Sequence, residues 1–328
     1  MVQPLLEVKD LTTEFVSPRG IVKAVDNLSF TIAPGETLGI VGESGSGKSA
    51  TALSLLRLIA PPGRISAGTL LFEGEDLLRK SEREMRDVRG KSIAMVFQQV
   101  MTALDPVHRV GEQIMDVLRV HLRMSPQQAR ERAIEILGAV RMPSPEQVMR
   151  RFPHELSGGM RQRAMIAIAL ACRPKLLIAD EITTALDVTV QAQILDLLDD
   201  IRREFNLAML FISHDLAVIA RVCDRIGVMY AGRMVEYTDK YRLFETNMHP
   251  YTNALLEAVP RRKEDELRPI AGSVPELSSL PSGCSFHPRC SRMEPSCTRE
   301  APQLREWEPD HWAACHFPRQ SVPVAQPA

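Results

Sequence analysis

An α/β fold, interrupted by a helical insertion and closed by a small cysteine-rich tail, is what this sequence predicts on three observations. A short apolar strand, Glu36–Val41, runs into a glycine-rich turn and then a helical stretch, Ala50–Ile59. From about residue 99 to 164 helical periodicity takes over, in Val110–Leu122, Pro126–Val140 and Pro145–Arg151, before strands resume at Leu176–Asp180, Met209–Ser213 and Arg225–Tyr230. Beyond about Arg261 the chain turns rich in Pro, Ser, Cys and Arg with few long apolar patterns. Strand, glycine loop and helix in that order open a nucleotide-binding α/β unit.

The elements follow in order. Leu5–Phe15 and Ala24–Ile32 read as strands ahead of the loop, and Pro61-Pro62-Gly63 closes the helix after it. Two more strands are expected around Ala67–Phe72 and Ile93–Phe97. The insertion's helices start at Ser125-Pro126 and Ser144-Pro145, a capping residue followed by proline. A further helix, Val190–Phe205, separates two of the later strands. The tail reads as a small module of its own, with its last ten residues disordered.

Composition narrows the class. The 328 residues exceed one ordinary domain, and 45% apolar with 25% charged residues is ordinary for a soluble globular chain. A net charge of -1 gives no reason to expect a polyanion. No apolar run reaches the roughly 18–20 residues that cross a bilayer. Glu7, Lys9 and Asp10 interrupt any apolar core of an N-terminal signal. The expectation is a cytosolic protein that reaches a membrane only through partners. Of the six cysteines, Cys172 and Cys223 stand alone among apolar residues and read as ordinary buried ones. Cys284, Cys290, Cys297 and Cys315 crowd the end, which in a cytosolic chain points to a metal more than to disulfides.

Three runs carry chemistry. Gly42-Glu43-Ser44-Gly45-Ser46-Gly47-Lys48-Ser49 matches the phosphate-loop pattern. Its glycines let successive N–H groups face one phosphate, the following helix adds its positive end, Lys48 reaches the β- and γ-phosphates, and the Ser49 hydroxyl ligates magnesium. Leu176-Leu-Ile-Ala-Asp180-Glu181 is an apolar strand ending in two acids: Asp180 holds magnesium and Glu181 polarises the attacking water as general base. Leu156-Ser157-Gly158-Gly159-Met160-Arg-Gln-Arg163 begins a helix with Ser157 at its cap and two glycines exposing backbone N–H groups. One chain needs only one phosphate cradle, so this second anion site is explained by a head-to-tail dimer, each copy closing over the other's nucleotide.

Here the sequence resembles the ATP-binding-cassette (ABC) ATPases, whose signature is L-S-G-G-x-x-x-R, over roughly residues 5–260. The resemblance implies a P-loop NTPase core of ABC type with an antiparallel β subdomain, a helical insertion subdomain over about 99–164 and a small Cys-rich C-terminal extension. The nucleotide-binding domain spans 1–260 and the extension 261–328. Other positions map one by one. Phe15 matches the aromatic that stacks on adenine. Gln98 matches the glutamine that touches magnesium and water and faces the membrane subunit. Asp187 matches the acid that communicates across the dimer, and His214 the histidine contacting the γ-phosphate. Two places depart from the pattern: Ile182 where proline usually follows the acidic pair, and Gln99-Val100 where Asp-Pro commonly follows the glutamine. The lost φ restriction at Ile182 loosens the turn carrying Glu181.

Gly283-Cys284-Ser-Phe-His-Pro-Arg-Cys290, with Cys297 and Cys315, resembles the C-terminal extension of oligopeptide/dipeptide permease ATP-binding subunits, and His249-Pro-Tyr-Thr252 resembles the junction before it. Four thiolates favour zinc or an iron–sulfur cluster. The spacings of five, six and seventeen residues lack the paired knuckles of common zinc sites. The resemblance implies a [4Fe-4S] cluster on Cys284, Cys290, Cys297 and Cys315, pinning the tail. It also implies ATP and Mg2+ as cofactors, and as partners two transmembrane permease subunits, a second and different ABC ATPase subunit, and a solute-binding protein, at the cytoplasmic face of the inner membrane. The competing function, a soluble cassette ATPase on ribosomes or DNA, calls for a second cassette, a heptad run or a basic stripe. The chain has none of these, and no nucleic acid is expected as a partner. A small-molecule kinase has no use for Leu156–Met160.

Overall fold

The computed structural model describes residues 3–18, 20–97, 103–184, 186–258 and 269–319. Two long strands come first, β1 (Leu6–Ser17) and β2 (Gly20–Ile32), then the short β3 (Thr37–Val41) and helix α1 (Lys48–Leu55). There follow β4 (Gly63–Phe72), β5 (Glu75–Asp76), α2 (Glu82–Val88) and β6 (Ile93–Val96). The insertion supplies α3 (Val110–Leu122), α4 (Pro126–Ala139), α5 (Pro145–Val148) and α6 (Gly158–Leu170). The chain continues with β7 (Leu176–Asp180), α7 (Val188–Phe205), β8 (Ala208–Ser213), α8 (Leu216–Val222), β9 (Arg225–Tyr230), β10 (Arg233–Asp239), α9 (Lys240–Thr246) and α10 (Pro250–Glu257). The short strands β11 (Arg305–Glu308) and β12 (His311–Ala313) complete it. Among the described residues no helix is long and apolar enough to cross a membrane.

The chain forms two compact units. The first is built mainly from Phe72–Ile212 with Ile32–Thr37. Its strands β6, β7 and β8 run parallel, Ile93 opposite Leu176 and Leu176 opposite Ala208. Every residue of β7 and β8 is buried, as in a parallel sheet covered on both faces. The helices α3, α4 and α6 pack on one another, and Ile114, Leu118, Ala133, Leu137, Ala164 and Ala167 on them are fully buried. Local chemistry sets the helix starts. Ser125 and Gln128 form a capping box with Pro126 at the first helical position of α4.

The second unit holds Glu7–Thr31, Leu38–Leu71 and the chain from Ser213 onward. In it β1 lies between β2 and β4. Separately, β3 pairs parallel with β9, Leu38 opposite Arg225, and β9 turns back into antiparallel β10 through Ala231 and Gly232. Both turn residues have positive φ (48° and 83°), the two-residue turn whose twist matches a hairpin. The tail does not stand apart from this sheet: β12 pairs antiparallel with β10, Glu236 opposite Ala313, and β11 pairs with β12. Beneath that junction the buried Glu236 carboxylate accepts from the N–H groups of Met248 (2.6 Å) and His249 (2.9 Å) and pairs with His311 Nε2 (2.7 Å). The same acid therefore fixes the residues that lead into α10, whose cap is the His249 ring accepting from Tyr251 N–H (3.0 Å), and anchors the tail.

Candidate functional site

In the second unit, β3 ends at Val41 and the chain turns through Gly42–Gly47 into α1. Two glycines are required by shape. A Cβ on Gly42 would lie 2.2 Å from the Met229 carbonyl oxygen. At Gly47 the backbone is left-handed (φ 103°) and a Cβ would lie 2.2 Å from the Ala24 carbonyl oxygen. Lys48 is nearly buried, and its Nζ donates to the carbonyls of Gly42 (2.8 Å) and Glu43 (2.9 Å), which folds the cation into the loop. Ser44, Gly45 and Ser49 are exposed, whereas Ser46 is buried. The β9–β10 turn braces the loop from below: Gly232 N–H donates to the Ser46 carbonyl (3.0 Å), and Asp26 N–H to the Gly232 carbonyl (2.8 Å). Phe15, in β1, is half-buried rather than a core residue, and its ring lies over Gly63. His214 is exposed directly after β8.

Sequence reasoning assigned Glu43 to the loop and missed what holds it. Its backbone N–H donates to the Tyr251 hydroxyl (2.9 Å). Its carboxylate takes two bonds from Arg289, at 2.7 and 3.0 Å. Tyr230, Tyr251 and Phe286 form an aromatic cluster around this contact, with ring centroids 4.6–5.3 Å apart. The motifs that carry Tyr251 and Arg289 were legible, but only as family markers.

In the first unit, Asp180 is the last residue of β7 and nearly buried. Glu181 follows with positive φ (49°), its N–H donating to the Ile212 carbonyl (2.9 Å). The turn closes with Thr184 N–H on the Glu181 carbonyl (3.1 Å) and the Thr184 hydroxyl on Glu181 Oε2 (3.4 Å). Ile182, standing where proline was expected, is only 1% exposed. Ser157 caps α6, accepting from Met160 N–H (3.4 Å), and Asp187 caps α7, accepting from Val190 N–H (2.9 Å). The two caps are neighbours, because Gly159 leaves room for Val190: a Cβ there would meet Val190 Cγ1 at 2.9 Å. The space beside Gly158 is open. Gln98, and the departure at Gln99-Val100, lie outside the described residues, as do the last residues of the tail.

The four clustered cysteines border one cavity. Cys284, Cys290, Cys297 and Cys315 are free thiols that line one small cavity of about 20 Å3 with Phe286 and Pro250. Burial pushes the thiols of Cys284 and Cys290 up and that of Cys315 up to about 11. The donor chemistry suits a thiophilic metal. The volume does not yet suit a four-iron cube, since it admits about one water. Among the described residues no three His, Cys, Asp or Glu side chains close into a metal-holding group. Cys223 is buried and Cys172 half-buried.

Comparison with known proteins places the chain in a family. Residues 25–184 match the family model described as ABC transporter, and residues 235–297 match oligopeptide/dipeptide transporter, C-terminal region. The oligopeptide transport ATP-binding protein OppD of Salmonella typhimurium is 52% identical over 320 residues, covering 97% of this chain and 95% of that one. The dipeptide transport ATP-binding protein DppD of Escherichia coli K12 is 46% identical over 316 residues, 96% of this chain and 97% of that one. Among solved structures, the dimeric structure of MJ0796, a bacterial ABC transporter cassette, superposes with a TM-score of 0.65 at 29% identity, covering 72% of this chain and 98% of that one. With a P-loop NTPase fold of ABC type and a full-length likeness to these proteins, the chain belongs to the ABC transporter ATPases, in the family of oligopeptide and dipeptide transport ATP-binding proteins.

Proposed function

We propose that this chain is the ATP-hydrolysing subunit of an ABC importer that energises uptake of oligopeptides or dipeptides across the inner, cytoplasmic membrane. The observation that carries the reading is the loop Gly42–Ser49 with Lys48 folded into it. Glu43, Ser44, Gly45, Ser46 and Gly47 wrap the phosphates with their backbone, Lys48 adds the cation, and Phe15 stacks on adenine. Ser49, Asp180 and Gln98 hold Mg2+, an all-oxygen donor set of the kind that ion takes. When bound, magnesium spreads the charge that develops on the phosphoryl oxygens. Glu181 accepts the proton of the attacking water, and His214 donates to the γ-phosphate. Ser157, Gly158, Gly159 and Asp187 serve the nucleotide held by a facing ATPase.

The partners in this reading are two transmembrane permease subunits, a solute-binding protein, and a second ATPase chain that differs from this one. The chain sits peripherally at the cytoplasmic face, and its nucleotide-binding domain spans 1–260. The extension 261–328 would hold a [4Fe-4S] cluster on its four cysteines, a reading supported by the thiol chemistry of the donor set and not by the volume of the cavity they border. Iron and acid-labile sulfide in anaerobically purified chain test that part. For the motor itself, purified chain should hydrolyse MgATP, and labelled peptide should enter vesicles holding the permease subunits only when the chain is active. Glu181→Gln should keep ATP binding and lower kcat by roughly 10²- to 10³-fold. Undiminished hydrolysis in that variant would remove Glu181 as the base.

A further inference from the structure

The phosphate loop of this chain carries an acid. Glu43 is a like charge to a triphosphate, and it opposes binding unless something neutralises it. Arg289 does so with both Nη atoms on both carboxylate oxygens, a fork-on-fork pair. The Arg289 side chain is only 4% exposed, so this is no solvent-screened surface pair. It is fixed on other sides too. Nε donates to the Ala271 carbonyl (2.9 Å), Nη1 reaches the Tyr230 hydroxyl (3.4 Å), and the rings of Tyr230 and Phe286 flank the guanidinium at 5.8 and 6.0 Å. The Glu43 hydrogen bond, the largest effect, raises the pKa of Arg289 further, so the cation is permanent.

Tyr251 grips the same loop residue by its backbone. Its hydroxyl accepts the Glu43 N–H, which fixes the direction of the first peptide of the turn. Two segments far along the chain thus converge on one residue of the loop, 208 and 246 positions away. Arg289 ends the short turn His287–Arg289, immediately before Cys290.

We propose that Arg289 is a positioning residue of the nucleotide site: it cancels the charge of Glu43 and, with Tyr251, holds the first turn of the loop in the form that receives the triphosphate. The cysteine-rich extension is thereby a working part of the site rather than an appendage. This rests on the chain binding ATP through Gly42–Ser49.

Charge makes the proposal separable from simple packing. A merely structural pair is damaged equally from either side. A charge-cancelling pair is not, because Arg289→Met leaves an uncancelled negative charge on the phosphate loop whereas Glu43→Gln leaves an uncancelled positive charge beside it. The experiment measures KM and kcat for MgATP, Kd for a fluorescent ATP analogue, and Tm, on full-length wild type, Arg289→Met, Arg289→Lys, Glu43→Gln and the double variant Glu43→Gln/Arg289→Met. Arg289→Met should raise KM and Kd about tenfold, and Arg289→Lys, which keeps the charge but loses the fork, about threefold. Glu43→Gln should lower KM about threefold, and the double variant should return to within about twofold of wild type. The proposal is overturned if Arg289→Met leaves KM within about twofold of wild type, or if Glu43→Gln raises KM as much as Arg289→Met does. Should Arg289→Met not fold, the opposite signs expected for Arg289→Lys and Glu43→Gln decide. A wild-type chain that neither binds nor hydrolyses ATP would sink the ATPase reading as well, whereas an active wild type with indifferent variants sinks only this one.

Discussion

At Gly47 two independent constraints meet, one conformational and one steric. The φ of 103° is a region that L side chains rarely adopt, and the Ala24 carbonyl oxygen stands where a methyl would go. Alanine there must move backbone, either of the loop or of β2, and the loop's N–H groups move with it. Gly47→Ala is expected to lower stability by about 2–4 kcal/mol and to weaken nucleotide binding by at least about 100-fold. Urea unfolding and titration with a fluorescent ATP analogue check the two effects separately. Gly158 provides the contrast, since nothing lies within 4 Å of its would-be Cβ. Gly158→Ala should change the stability of the isolated chain by less than about 0.5 kcal/mol. Residues of this kind were legible in the sequence because the phosphate loop is contiguous and its spacing states its own geometry. Arg289 was not legible, because nothing in the segment around Cys290 encodes which of 41 acids it will meet.

Among the elements, the β9–β10 hairpin decides how firmly the loop is seated. Its turn reaches the loop through Gly232 and Ser46, and is itself held by β2 through Asp26. Asp26 pairs with Arg233 of β10 (2.6 Å) and Lys23 of its own strand (3.0 Å). Burial works to raise the Asp26 pKa, but the hydrogen bonds and charges of Lys23 and Arg233 outweigh it and hold the carboxyl below the usual carboxylate range. A depressed folded value gives stability that is present above the unfolded pKa, about 3.9, and is lost as pH falls through the lower folded value. With Arg233 partly exposed, the pair is worth about 1–2 kcal/mol. Asp26→Asn should therefore cost about that much at pH 7, and its stability curve should approach that of wild type as pH falls below the unfolded pKa and through the lowered folded value. Chemical denaturation between pH 7 and 2.5 reads both curves. The tail shows the limit of element-level reading from sequence. β12 is three residues long and buries a histidine, a pattern with no apolar alternation to announce it. Its place depends on Glu236, which lies 75 positions earlier.

For the molecule as a whole, the division between what sequence disclosed and what it hid follows contact range. The loop, the acidic strand end and the capped helix start each sit within ten residues, so residue type and spacing carried them. The partners that complete the loop, and the strand pairing of the tail, arise only when distant segments fold together. One feature of the first unit looks outward instead. Ser157 and Gly158 open α6 at an exposed start, beside the exposed cap of α7 at Asp187. A thirteen-residue helix gathers its first N–H groups at that start, with Met160 N–H taken by the Ser157 cap, and its positive end favours an anion. In the proposed motor that anion is the nucleotide of the facing ATPase, so the helix start is needed for pairing and not for binding the chain's own ATP. Ser157→Arg places a bulky side chain at that start without touching Gly42–Ser49. It should leave Kd for ATP within about twofold of wild type while lowering coupled hydrolysis by at least about 100-fold. Light scattering of the chain with its natural neighbour, in MgATP and on a Glu181→Gln background that holds the nucleotide in place, should show a doubled mass that Ser157→Arg abolishes. If the Ser157→Arg chain still pairs and hydrolyses, the start of α6 has no part in a shared nucleotide site.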